Sequence, residues 1–311
     1  MTAPIVVLGA GGFVGRRIVA ALEAAGEPLV AVVRRSRGAP HTAQADATDA
    51  AALGPVLAGA AGVVNCVVGD ARSIVANARA LAAAAPAGAP IVHFSSMAVY
   101  GSATGIVDES AEPRGDTGWY AAAKAEAERA LAGTAATILR PGIIYGPGSG
   151  QWSGRIARLL QARRLGDLGA AGDGVCNLVH ADDVVAATLA ALRTPGARGQ
   201  AINLGHPEPP TWNEYFLAYA RALGAVPLER IPRWRLKLEA LLGLPLKAFE
   251  IVARKLGLST AWLPAPITPS LLHTFGWDLR LEVTKAERLL GVRWRPLAQG
   301  LAEAAAEYRH G

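Results

Sequence analysis

Charge and cysteine are both scarce in this chain. Only 18% of its 311 residues are charged, and only two are cysteines, Cys66 and Cys176, far apart in sequence. Neither has a Cys-x-x-Cys partner or a histidine-rich neighbourhood, so no metal site is suggested. Both sit among apolar residues and read as buried free thiols in a reducing compartment. No apolar run is long enough to span a bilayer. The stretch 236–252 comes nearest and is interrupted by Lys237, Glu239, Lys247 and Glu250. No basic segment precedes the apolar run Ile5–Leu8, which stops at once in glycines, so the N-terminus does not read as a signal peptide. These absences lead us to expect a soluble, cytoplasmic protein.

Apolar residues make up 51% of the chain, which argues against general disorder. The length suits one large domain or two intimately joined ones. The net charge is +6, with arginine far outnumbering lysine. The positive charges are scattered, apart from Arg34, Arg35 and Arg37 and the group Arg230, Arg233 and Arg235. Such a spread attracts anions without implying a nucleic acid, and an anionic cofactor satisfies it.

Short β-branched runs alternate with alanine-rich stretches in the first half. Strands are expected over 5–8, 29–33, 63–68, 91–94 and 136–139, and helices over 14–25, 74–85 and 120–131. Continuous apolar strands separated by helices imply a parallel sheet covered on both faces. The expected fold is α/β, a Rossmann-type doubly wound parallel sheet with a smaller, mostly helical substrate lobe. The sheet domain is assigned to 1–146 plus about 176–206, and the lobe to 147–175 and 207–311.

The first strand runs into Gly9-Ala10-Gly11-Gly12-Phe13-Val14-Gly15, with Gly9, Gly12 and Gly15 at GxxGxxG spacing. Glycines placed so permit a tight turn, close approach to a pyrophosphate and close helix–strand packing. The helix that follows offers free N–H groups and its positive dipole end. A dinucleotide is therefore expected. The second strand ends Val32-Val33-Arg34-Arg35, with two guanidinium groups where NAD enzymes usually carry a carboxylate. That favours NADP, with NAD as the alternative. Asp46, after a short third strand, could accept a hydrogen bond from the adenine amino group.

His93-Phe94-Ser95-Ser96 ends a central strand in hydroxyls, and Tyr120-Ala121-Ala122-Ala123-Lys124 opens a helix. The four-residue spacing puts phenol and ammonium on one helical face. With the glycine turn, with Arg140-Pro141-Gly142-Ile143-Ile144-Tyr145-Gly146 and with His180-Ala181-Asp182-Asp183-Val184, the chain resembles the extended short-chain dehydrogenase/reductases. These comprise the NAD-dependent epimerase/dehydratases and the 3β-hydroxysteroid dehydrogenase-like reductases.

The resemblance implies roles. Tyr120 is the general acid/base, and Lys124 and the oxidised nicotinamide lower its pKa. Ser96 binds the substrate oxygen, Ser95 is its structural neighbour, and Lys124 also binds the nicotinamide ribose. The cofactor contacts extend to Phe13, Val14, Val67, Pro141 and Ile143. The run at 180–183 is structural, Asn77 has no role, and no metal is implied.

Two departures narrow the reaction. Ile143 stands where many nucleotide-sugar members have Asn. Met97-Ala98 stands where dehydratases have Asp-Glu. We therefore expect an NAD(P)-dependent oxidoreductase interconverting an alcohol and a ketone or aldehyde. The alternatives are a nucleotide-sugar epimerase and a non-catalytic NADP-binding regulator or assembly subunit.

Beyond 207, Arg235 to Leu258 reads as an amphipathic helix with the apolar positions Leu236, Leu238, Leu241, Leu242, Leu246, Phe249, Val252 and Leu256, and helical apolar stripes are usually core. With Trp234, Trp262 and Trp277 it suits the wall of an apolar substrate pocket or a homodimer face.

Overall fold

The structure is a computed structural model, and it describes residues 3–35, 38, 40–256 and 266–309. Arg37 and Trp262 lie outside the described residues, as does the expected helix end at Leu258. The chain divides into two compact units. One is Met1–Ile144 with Val179–Pro207 and Leu281–Arg295; the other is Tyr145–Leu178 with Glu208–Arg280 and Pro296–Gly311. The first unit thus takes in Leu281–Arg295, which the sequence reading gave to the smaller lobe.

The first unit is built on seven strands: β1 (Ile5–Leu8), β2 (Leu29–Val33), β3 (Thr42–Gln44), β4 (Gly62–Asn65), β5 (Ile91–Phe94), β6 (Thr137–Pro141) and β7 (Ala201–Leu204). They lie side by side in the order β7-β6-β5-β4-β1-β2-β3. Every pairing is parallel. Alternating side chains feed two cores. Val7, Val64 and Leu139 pack on one face, with Ile18, Leu22 and Val184. Val6, Leu8 and Val63 pack on the other, with Leu53, Ile74 and Leu81. A sheet buried on both faces needs this continuous apolar character, which is why its strands were readable. The chain runs outward from β1 to β3 and then returns to β4, so the order reverses between β1 and β4. In open α/β sheets that is where ligands bind, outside the carboxyl ends of the strands.

The helices packed on this sheet include α1 (Phe13–Ala24), α2 (Ala50–Leu57), α3 (Ala71–Ala84) and α4 (Trp119–Leu131). Short polar contacts set several boundaries away from the expected ones. β4 ends at Asn65 rather than Val68, where the Asn65 carboxamide oxygen accepts the Val67 N–H (3.3 Å). Asp70 accepts the Ser73 N–H (2.8 Å) and starts α3 three residues before Ile74. Asp49 caps α2, a helix the sequence reading did not identify.

The second unit has an aromatic core in which Trp212 packs against Trp152, Phe216 and Phe275, and Tyr215 stacks on Tyr219. Its longest helix, Arg233–Lys255, departs from expectation. The leucine stripe is not core: Leu238, Leu241, Leu242, Phe249, Val252 and Leu256 are exposed, while Leu236 and Ala240 on the far side are buried. Small residues allow this. A Cβ on Gly243 would overlap the Ile267 carbonyl oxygen, so the helix packs closely through a narrow strip of its other face. Trp234 is exposed and Trp277 half-buried. Among the described residues no helix is long and apolar enough to cross a membrane.

Candidate functional site

The sequence-predicted residues gather at the carboxyl ends of the parallel strands. Gly9 leaves β1 with φ +75°, and a Cβ there would come within 2.9 Å of the Cys66 carbonyl carbon and 3.0 Å of the Val67 nitrogen. Glycine is required both for that backbone conformation and for the close approach of β1 to β4. Gly15, in the first turn of α1, is equally constrained: a Cβ would overlap the Gly9 carbonyl oxygen. Gly12 caps α1, no side chain satisfies the first N–H groups, and the first turn has no acid. Phe13 and Val14 are half-buried in that turn, and the Arg17 guanidinium lies 5.2 Å from the Phe13 ring centre. The helix start is therefore left open to an anion.

Arg34 and Arg35 follow β2 and are exposed. Asp46 follows β3, its carboxylate accepting from the Thr48 amide (2.9 Å) and hydroxyl (2.7 Å). Those hydrogen bonds hold its pKa below the usual carboxylate range, with a smaller contribution from Arg34. Val67 is half-buried after β4, Pro141 ends β6, and Ile143 is buried just beyond it.

Ser96 leaves β5 and caps the short helical turn Met97–Tyr100, accepting from the Ala98 amide at 3.2 Å. Its side chain is near enough to the Tyr120 phenol to lower that group's pKa. Tyr120 stands in the first turn of α4, with Lys124 one turn on, donating to the Phe94 carbonyl oxygen at 2.6 Å. Burial pushes the Tyr120 phenol up, and the Ser96 hydrogen bond pulls it partly back. Burial lowers Lys124 to about 8, against smaller opposing effects of Cys66 and Glu128. In the free protein the Lys124 ammonium is directed at the strand carbonyl.

Several residues around this trio were not foreseen. Glu128, a further turn along α4, accepts from Ser95 and from both Arg140 Nε (3.1 Å) and Nη2 (2.7 Å). Arg140 also donates to the Tyr100 hydroxyl (3.0 Å), which donates to Asn203 (2.6 Å). The ion pair is almost fully buried, at 5% and 8% exposure. Ser95 thus belongs to the framework, and Ser96 faces the phenol. Beneath the site, Asn65 Nδ2 donates to Asn77 Oδ1 (2.7 Å) and lies 3.0 Å from His93 Nδ1. Burial, then the Lys124 charge, keeps His93 neutral. Cys66 is half-buried rather than buried, and burial raises its thiol to about 12. A Tyr-x-x-x-Lys-x-x-x-Glu register with a strand-end Arg is a sequence signal that could have revealed the ion pair.

His180 caps the helix Ala181–Arg193 and Asp182 pairs with Arg17 (2.6 Å). Asp183 accepts from the Arg295 amide (2.9 Å). Burial raises Asp183 above the usual range, against that hydrogen bond. The acidic run therefore ties this helix to α1 and to the segment at Arg295.

Lys124 yields a pH prediction. Its pKa is lowered on folding, so between about 8 and the ordinary 10.5 the unfolded chain binds more protons than the folded one. Stability of the free protein therefore rises with pH across that window, and the cost of the buried charge is fully present below it. Lys124→Met should stabilise the free protein at pH 7. The gain should shrink by on the order of 3 kcal/mol as pH climbs towards 10.5. Urea unfolding of both proteins across this range checks it; a pH-independent difference is the contrary result.

Residues 5–205 match the model of the NAD dependent epimerase/dehydratase family. A 3-diazoavenalumate denitrifying reductase of Streptomyces sp. is 32% identical over 258 residues, covering 73% of this chain and 84% of that one. Human epimerase family protein SDR39U1, solved with NADPH, superposes with a TM-score of 0.74 at 19% identity over 97% of this chain and 99% of that one. MoeE5, solved with UDP-glucuronic acid and NAD, gives 0.69 at 21% identity over 99% of each. The chain belongs to the NAD dependent epimerase/dehydratase family and is an NAD(P)-dependent enzyme of that family.

Proposed function

We propose that the enzyme is an NADP-linked oxidoreductase interconverting an alcohol and a ketone or aldehyde, with Ser96, Tyr120 and Lys124 as its catalytic residues. The observation that carries this is the placement of Ser96 at the end of β5 and of Tyr120 in the first turn of α4, with the Lys124 ammonium buried one turn on. The cleft fits a dinucleotide: the start of α1 is uncapped by any side chain, and the backbone closes tightly at Gly9 and Gly15.

Gly9, Gly12, Phe13, Val14 and Gly15 would hold the pyrophosphate, Arg34 and Arg35 the 2′-phosphate, and Asp46 the adenine. Val67, Lys124, Pro141 and Ile143 would line the nicotinamide half, with Tyr120 beside the ring. A bound nicotinamide dinucleotide supplies or takes up the hydride. Ser96 orients the substrate oxygen by hydrogen bonding, and Tyr120 delivers its proton to that oxygen or removes it. Because burial raises the phenol's pKa, Tyr120 is protonated at neutral pH in the free protein and poised to act as the acid. The relative at 32% identity is named as a reductase, which supports the reducing direction.

A panel of carbonyls, nucleotide sugars and 3-diazoavenalumate, assayed with NADPH and NADH, tests the reading. Cofactor consumed in proportion to product is expected; turnover of a nucleotide sugar without net consumption would favour an epimerase. Tyr120→Phe and Ser96→Ala should lose rate, by roughly 10²–10⁴ for the phenol. Ser95→Ala should keep its rate and instead lose about 1.5–3 kcal/mol of stability, because its hydroxyl serves a charged acceptor. Equal rate losses for the two serines would contradict these assignments.

Cofactor preference has its own test. Arg34→Ala with Arg35→Ala should weaken NADPH by roughly 10–150-fold and NADH little, since a charge-assisted phosphate contact contributes about 1.5–3 kcal/mol. Both side chains are exposed, so the effect should shrink as salt is raised. Equal losses for both cofactors, measured by titration, would remove these arginines from the site.

A further inference from the structure

We infer that Asn65 is a positioning residue for the cofactor cleft: it holds His93 with a single hydrogen, on Nε2, so that the ring has no free lone pair with which to compete for the Lys124 ammonium. This rests on the reading that Lys124 binds the cofactor, and every residue involved belongs to the first unit.

Asn65 and His93 are register partners on β4 and β5, so their side chains stand side by side on one face of the sheet. Two backbone groups, whose polarity is fixed, orient the chain of amides. The Ala47 carbonyl oxygen accepts from Asn77 at 2.8 Å, so the Asn77 atom facing it is Nδ2. The Asn77 oxygen is then turned towards Asn65 and accepts from its Nδ2 at 2.7 Å. Asn65 Oδ1, in turn, accepts the Val67 N–H at 3.3 Å. Both ends therefore require the same orientation of Asn65. Its Nδ2 also lies 3.0 Å from His93 Nδ1. A donor at that distance needs the lone pair on Nδ1, and the neutral ring then carries its hydrogen on Nε2. A second proton, on Nδ1, would set two N–H groups against each other.

The consequence reaches Lys124. Asn65, Asn77 and His93 are at most 1% exposed. Among the described titratable groups, Lys124 on α4 is the one whose charge acts on the ring, and burial, then that charge, keeps the ring neutral. In the other tautomer Nε2, which has no hydrogen-bond partner among the described residues, would carry a lone pair and attract the ammonium. Lys124 instead donates to the carbonyl oxygen of Phe94, the residue next to His93, and keeps two further hydrogens for a bound cofactor. The two ends of the chain lie in segments proposed to line the cofactor: Ala47 follows Asp46, and Val67 borders the nicotinamide half.

Nitrogen-15 NMR of the histidine-labelled, cofactor-free protein reads the tautomer directly. His93 should show a bare Nδ1 and a protonated Nε2, without titrating from about pH 6 to pH 9. Asn65→Asp sets an acceptor against Nδ1 and should move the hydrogen there, freeing the Nε2 lone pair. Its NADPH affinity should fall about tenfold or more, the worth of a charge-assisted hydrogen bond. Adding His93→Asn, which removes the ring, should restore affinity to within about threefold of wild type. A merely structural role for Asn65 predicts no such rescue. Thermal melts establish folding, and should Asn65→Asp not fold, the wild-type spectrum decides. A protonated Nδ1 in wild type, titration of the ring in this range, or a loss in Asn65→Asp that His93→Asn leaves in place would overturn the proposal. Lys124→Met binding NADPH as wild type does would instead refute the reading of Lys124, and with it the role of Asn65, while leaving the tautomer standing.

Discussion

The buried pair of Glu128 and Arg140 is the contact on which the placement of the candidate site depends. Arg140 comes from β6 and Glu128 from α4, and the two-point contact fixes the helix against the carboxyl end of the sheet. Ser95 at the end of β5 adds a third anchor, and Tyr100 with Asn203 continues the network to β7. Tyr120, Lys124 and Glu128 succeed one another every four residues, so pinning the last sets the direction in which the others point. Such a pair adds little net stability over an apolar substitute, yet leaving either charge alone would cost about 3–5 kcal/mol. Its contribution is geometric: two serines adjacent in sequence are divided between framework and cleft.

The cleft also stores unfavourable electrostatics. Lys124 is kept from water beside a neutral histidine, with a carbonyl oxygen as its hydrogen-bond acceptor. A buried ammonium with so little compensation is held in place by the surrounding packing, in the way functional sites commonly hold strained groups. The glycine turn shows the same economy. Gly9 and Gly15 permit two backbone approaches that any side chain would block, and the space so formed lies at the reversal of the sheet order.

The second unit follows a different logic. Its aromatic core is filled from Trp152, Trp212, Phe216 and Phe275, so the long helix is not needed to cover that core. Contact through Gly243 anchors the helix by a narrow strip and leaves the leucine face outward. Period alone says that a helix has an apolar face. It does not say whether that face meets the core or the surroundings.

By itself the sequence determined the α/β sheet, because strands buried on both faces must be continuously apolar and their helices periodic. It also determined the glycine turn and the Tyr-x-x-x-Lys pair, because these are local patterns set by backbone geometry and helix pitch. Short side-chain caps shifted the ends of β4 and α3, since an Asn or Asp competing for one N–H leaves no periodic trace. Only the tertiary structure decided which serine meets the phenol, that Lys124 is directed at Phe94 rather than the tyrosine, and that the leucine stripe faces outward. Each of these depends on contacts between residues distant in sequence, where burial and electrostatics act through neighbours that no local pattern names.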